Sequence, residues 1–210
     1  MKHFCTACFA FVAIFCAANL RAAEPRAEVL FDGHDLKKWV VMHEGEWKIE
    51  EGVLVGRNGT NWSTNPEKSG SWLRTAKEYK DFVLELDYAI NERGNSGIFI
   101  RAGTEKNPAF TGYEMQIAPD YGKPATIKST GALYDVVAAT KNMSKPAGEW
   151  NHARIEAHGQ NIKVWLNGEQ IIDYKADRRE TGYIGLQNHD TRSVVKFRNI
   201  RVAPWSEKAP

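Results

Sequence analysis

The sequence predicts an all-β fold, a sandwich of two curved antiparallel sheets. Short runs of residues alternate between apolar and polar side chains, which is how a strand with one buried face reads. Turn signals rich in Gly, Asn, Asp and Pro separate these runs at regular intervals. No stretch shows a helical period with caps. The same pattern would serve a barrel, but the connecting loops are long enough to form a rim at one end of a sandwich.

Val29-Leu30-Phe31 opens the domain and is closed by Asp32-Gly33. Trp47–Glu50 and Val53–Val55 flank Glu51-Gly52, a hairpin signal. Gly56–Ser71 is a polar loop, followed by a short strand at Trp72–Arg74. Phe82–Ile90 alternates clearly and turns at Asn91–Asn95 into Ser96–Arg101. There Ile98 and Ile100 face one way, Phe99 and Arg101 the other. After a loop at Ala102–Gly112, Tyr113–Ile117 alternates again, with Glu114 and Gln116 opposite Tyr113, Met115 and Ile117. Gly131–Val137, His152–His158 and Ile162–Leu166 are the next strands. Asn167-Gly168 then makes a two-residue turn into Gln170–Ile172, since both positions accept positive φ. Tyr183–Gln187 and Val194–Val202 finish the domain. In the last run the apolar parity slips after Phe197, which predicts a bulge near Arg198-Asn199.

The first 23 residues stand apart. Lys2 and His3 precede an apolar run from Phe4 to Ala18, and small residues follow at Ala22-Ala23. This is the pattern of a secretory signal peptide, too short an apolar run to span a bilayer comfortably. A lipoprotein anchor at Cys16 fits less well, because Phe15 is bulky where a small residue is needed. The expected organisation is a cleaved leader at 1–23, one domain at 24–205 and a short tail at 206–210. The expected product is exported, to the periplasm or beyond the cell. Cys5, Cys8 and Cys16 all fall in the leader, so the exported domain relies on its core rather than on disulfides. It also has no thiolate for a structural zinc. The composition is 42% hydrophobic and 26% charged with a net charge of +2. With no basic run longer than a pair of residues, nothing points to nucleic acid as a partner.

Four groups of residues carry chemistry. Arg101, Glu114 and Gln116 share the polar parity of neighbouring strands, a set able to hold a sugar, although a solvated outer face alternates in the same way. Glu85 and Asp87 project from one face of a strand, as the two carboxyl groups of an ordinary glycosidase would. Polar alternation on a half-exposed strand explains that pair more simply. Gln187 and His189 end a strand on the face opposite Leu186, where a histidine can move a proton near neutral pH. Trp62 lies in a polar loop, whereas the other six tryptophans mostly sit in or beside strands, and it can stack on a sugar ring. The histidines show no metal-binding spacing. Asp120 and Asp190 lie in loops, where oxygen ligands for a divalent metal such as calcium are found.

A family resemblance adds to this. LFDG followed by Trp at 30–39, NSGIFIR at 95–101, GYEMQI at 112–117 and TGALYDV at 130–136 occur in order. EWN at 149–151, WLNG at 165–168, GYIGLQNH at 182–189 and FRNI at 197–200 continue it. The chain resembles the 3-keto-disaccharide hydrolase domain family over nearly the whole of the exported domain. The resemblance implies a concanavalin A-like jelly roll and a small carbohydrate substrate, an oxidised glycoside with a ketone at C3. It implies C2 deprotonation and β-elimination of the anomeric oxygen, with or without return of water. It implies Glu114 or His189 as base or acid and Arg101 as the stabiliser of the enolate. Gln116, Tyr134 and Gln187 would hold hydroxyl groups. A non-catalytic lectin-like module and an ordinary glucanase working through Glu85 and Asp87 are the alternatives.

Overall fold

A computed structural model describes residues 27–60 and 70–207. The leader and Trp62 lie outside the described residues. The chain forms two antiparallel sheets. The larger contains β1 (Glu28–Phe31), β3 (Glu46–Glu50), β4 (Val53–Arg57), β6 (Phe82–Ile90), β9 (Asn151–His158), β10 (Asn161–Leu166), β11 (Glu169–Lys175) and β13 (Val195–Pro204). Its order is β11-β10-β9-β6-β13-β4-β3, with β1 also paired to β13. The smaller sheet runs β2-β5-β12-β7-β8, from β2 (Trp39–Met42), β5 (Ser71–Thr75), β12 (Tyr183–Asn188), β7 (Ser96–Ala102) and β8 (Tyr113–Ile117).

The alternation read from the sequence decides which side chains meet between the sheets. Leu84, Leu86, Ile155, Val164 and Phe197 from the larger sheet pack against Ile98, Ile100, Tyr113, Met115 and Leu186 from the smaller one, all essentially inaccessible. Each such apolar side chain contributes about 1.5–3 kcal/mol by leaving water. Asn167 and Gly168 both have positive φ at the β10–β11 turn. The expected bulge in β13 is present. Its pairing with β6 shifts between Arg198 and Arg201, and Asn199 takes φ 55°.

Two elements differ from expectation. β2 is an all-apolar edge run, Trp-Val-Val-Met, which shows no alternation to read. Residues 131–137 form turns rather than a strand. Leu133 makes single bridges to Met115 and Val137, so the segment borders β8 without extending the ladder. A single helical turn, α1 (Pro108–Thr111), lies in the loop between β7 and β8.

Candidate active site

The outer face of the smaller sheet carries the polar parity of β5, β12, β7 and β8. Register fixes two rows across it. Trp72 pairs with Gln187 and Gly97 with Gln116. Leu186 pairs with Ile98, which sets Gln187 opposite Gly97. The first row is therefore Trp72, Gln187, Gly97, Gln116. Gly185 pairs with Phe99, and Phe99 with Glu114, giving the second row. Trp72 and Phe99 pack edge to face, 5.5 Å between ring centroids, with Ala102 and Ala109 against them. That apolar patch covers one end of the face. Adjoining it, with Ala109 shared, a small cleft is lined by Asn95, Asn107, Ala109, Glu114, Gln116, Tyr134, Gln187 and His189.

Glu114 lies in the middle of this cleft, only 3% exposed. Its carboxyl leans over Gly97, and that is possible only because position 97 has no side chain. A Cβ there would lie 2.6 Å from both Cγ and Cδ of Glu114, and closer still to Oε1. Gly97 is thus the floor of the cleft, with Gln116 and Gln187 on either side. Glu114 Oε1 and Gln187 Oε1 are both buried without a hydrogen-bond partner. Burial penalises the charged form of Glu114 and pushes its pKa up to about 8, so the group carries a proton at neutral pH.

His189 reaches the same cleft from just beyond β12. Its Nδ1 is 3.1 Å from Asp190 Oδ2. Burial alone would raise the Asp190 pKa, but hydrogen bonds from Ser193, His189 and Arg192 outweigh it and bring the group down to about 2. An ionised carboxylate can only accept, so His189 Nδ1 carries the proton and donates it to that bond. In the neutral ring Nε2 then carries no proton and can accept one. Asp190 is itself fixed, since its Oδ1 accepts from Ser193 N at 3.0 Å and from Ser193 Oγ at 2.9 Å. Ser193 Oγ in turn accepts from Asn95 N at 2.9 Å. One hydrogen-bonded chain therefore holds His189 and Asn95 in place across the two strand ends.

Tyr134 joins the site through the backbone, its N–H donating to Glu114 O at 2.8 Å. Asn107 enters from the opposite side as the cap of α1, and Arg178 braces that turn through Ala109 O and Gly112 O.

A family model, the 3-keto-α-glucoside-1,2-lyase-like domain, matches residues 26–203. The chain belongs to this family. It is 28% identical to a 3-keto-disaccharide hydrolase of Bacteroides thetaiotaomicron, over 82% of this chain and 76% of that protein. A crystal structure from Parabacteroides distasonis, provisionally assigned to the glycosyl hydrolases, is 27% identical with a TM-score of 0.71, covering 86% of this chain and all of that one. A β-1,3-1,4-glucanase from a mouse hindgut metagenome shares the fold, with a TM-score of 0.53 at 12% identity over 86% of this chain and 99% of that one. The sandwich is thus the concanavalin A-like jelly roll expected from the sequence.

Of the residues expected in the site of this family member, Glu114, Gln116, Tyr134, Gln187 and His189 line one cleft. Trp62 lies outside the described residues. Arg101 does not join them. The smaller sheet carries a bulge where Tyr183 pairs with Ala102 but Gly185 with Phe99. Arg101 takes φ 51° there and leaves the parity of Phe99. Its fully buried guanidinium donates to Lys80 O at 3.0 Å and Gly159 O at 2.7 Å and lies 3.5 Å from Asp81. It clamps two loops together. Alternation reveals a bulge only where apolar residues on both sides change parity, and none do so around Arg101, so the expectation failed there.

Glu85 and Asp87 lie on the other sheet, in β6. Glu85 bonds Arg154 at 3.2 Å and Arg201 at 2.8 Å. Asp87 bonds His152 at 2.8 Å and Asn199 at 2.7 Å. Burial opposes ionisation of both, yet these bonds prevail and lower both pKa values. Neither is suited to hold a proton as a general acid. Asp120 is engaged by Asn142 and Thr130, and Asp190 as described above. Among the described residues no group of three or more His, Cys, Asp or Glu is arranged to hold a metal ion. Asn95, Asn107 and Gly97 were not expected in the site, and Asp190 was expected only as a metal ligand. Asn107-Pro108 is a cap signal in the sequence, but nothing there tells which way the amide faces.

Proposed function

We propose that this chain is an exported enzyme that cleaves glycosides whose sugar carries a ketone at C3. The observation that carries the reading is the pairing, in one cleft, of a protonated Glu114 with a His189 whose Nε2 is left bare by Asp190. A ketone at C3 acidifies the C2 proton. His189 Nε2 removes that proton and the electron pair passes into the C3 carbonyl as an enolate. The enolate collapses to form C1=C2 and breaks the bond from C1 to the aglycone oxygen. Glu114 gives its proton to that oxygen, so an alcohol and an unsaturated 3-keto sugar leave. Addition of water across C1=C2 would complete a net hydrolysis. A positioned base or acid typically contributes 10²–10⁴ in rate.

Gln116, Gln187 and Tyr134 are assigned to the sugar hydroxyls. The buried, unpartnered Oε1 of Gln187 favours this, because a buried acceptor without a bond is costly until a ligand supplies the donor. The family match and the Bacteroides relative support the ketone-bearing substrate. The basic and apolar N-terminal leader supports export. The test is incubation with a 3-keto-glucoside, with its unoxidised parent, and with each in the presence of a chelator. Aglycone release from the oxidised compound alone is expected, and Glu114→Gln should lower it at least about 100-fold. Equal cleavage of the unoxidised parent, or full activity of the Gln variant, would overturn the reading.

A further inference from the structure

Elimination places negative charge on the C3 oxygen, and a site that speeds it must meet that charge. Arg101 is committed elsewhere, and no Arg or Lys is among the residues lining the cleft. Lys128 stands outside it, exposed, with its ammonium 5.9 Å from the Tyr134 ring centroid. The charge must then be met by neutral donors already in place.

We propose that the side-chain amide of Asn107 is that donor, a catalytic group of the reaction put forward above, on which this inference rests. Asn107 is only 8% exposed and lines the cleft beside Glu114. Its Oδ1 is occupied as the cap of α1, accepting from Ala109 N at 3.0 Å. That bond settles the orientation of the amide, because the oxygen end is held by the backbone. The Nδ2 end has no protein partner among the described residues, which leaves its two N–H groups to a ligand in the cleft that Asn107 lines. The capped turn is held by Arg178, which donates to Ala109 O at 2.8 Å. Thr111 Oγ1, accepting from Gly103 N at 2.9 Å, ties the turn to the end of β7. The donor is therefore fixed before substrate arrives and needs no reorganisation during the reaction, which is where such groups gain their effect. A neutral amide also leaves the proton on Glu114, whereas a nearby cation would draw it off.

The cap and the donor are separable by mutation. Asn107→Ser keeps a good N-cap but is too short to reach the cleft, and Asn107→Asp keeps the cap while removing the donor. Both should melt within a few degrees of wild type. On a 3-keto-glucoside both should lose about 10²–10³ in kcat with little change in KM, the loss typical of one oxyanion donor. Binding of kojic acid, a planar hydroxypyranone that resembles the unsaturated 3-keto product, should weaken at least tenfold by calorimetry in both. Unchanged kojic acid affinity together with kcat within threefold of wild type would overturn the assignment. So would a loss that appears in Lys128→Met and not in the Asn107 variants. If wild type fails to turn over the 3-keto-glucoside, the proposed reaction falls. The calorimetric comparison then still decides whether Asn107 is a ligand-facing donor.

Discussion

Replacing Gly97 by alanine tests whether a missing side chain creates the acid. The backbone at Gly97 lies outside the positive-φ region, so alanine fits it without strain. The new methyl would meet Glu114 Cγ and Cδ at 2.6 Å, where ordinary contact begins at 3.4 Å. The colliding group is the end of a flexible side chain, so the sheet stays and the carboxyl retreats by about 1 Å or more toward solvent. Burial is the cause of the raised pKa, about 8 against an ordinary 4.5. That difference corresponds to something on the order of 5 kcal/mol of preference for the protonated form, most of which the retreat should remove.

The effect on stability has a definite sign. Glu114 holds its proton more tightly folded than unfolded, so the folded state binds more protons between pH 4.5 and 8. Stability contributed by this group is present below pH 4.5, declines as pH rises through that window, and is gone above 8. Infrared titration of protein carrying ¹³C-labelled glutamate should show one protonated carboxyl persisting past pH 7 in wild type. In Gly97→Ala that band should already be lost when rising pH reaches 6, and the fall in melting temperature between pH 5 and 8 should flatten. Release from a 3-keto-glucoside at pH 7 should drop at least about 100-fold. A Gly97→Ala protein that keeps a carboxyl titrating near 8 and keeps its activity would refute the argument.

Two further outcomes follow from the same geometry. Arg101→Met should cost about 2 kcal/mol, since the carbonyls of Lys80 and Gly159 lose their donors. Calorimetry should show this as a fall of roughly 5 °C in melting temperature, while kcat of the folded protein changes less than threefold. Asp190→Asn replaces the acceptor that fixes the His189 tautomer. It should lower kcat by about 10² or more at every pH from 5 to 9, with the His189 ring still in place by NMR.

The fold was legible because its signal is local. Alternation in β7, β8 and β12 sorted core from surface correctly at Ile98, Ile100, Met115 and Leu186. The slip of parity after Phe197 marks the β13 bulge in the sequence itself. Most of the cleft lining was legible for the same reason, since Glu114, Gln116 and Gln187 all carry the polar parity of their strands. What escaped depends on single residues or on long-range partners. The bulge at Arg101 has no apolar neighbour of shifted parity to betray it, because Ala102 is small and buried beside it. The role of Gly97 depends on a side chain across the ladder. The Asn107 amide is set by a hydrogen bond whose direction no sequence pattern records.

The misplacement of Arg101 also bears on the chemistry. A guanidinium on the Glu114 face would have favoured the carboxylate and lowered its pKa by one to three units. A Glu114 lowered in this way would hold its proton at neutral pH only in part or not at all, and would be a poor acid for a leaving oxygen. Under the proposed reaction the cleft must hold an acid near neutral pH and also meet a developing oxyanion, and these are opposed demands. Full positive charge satisfies the second and defeats the first. Neutral amide donors satisfy both, because their dipoles act at hydrogen-bond range on the reacting oxygen and have little effect on a carboxyl further away. The lining of Asn95, Asn107, Gln116 and Gln187 around a buried glutamic acid is such a solution. The bulge that turns Arg101 out of the sheet face is therefore part of what keeps Glu114 an acid.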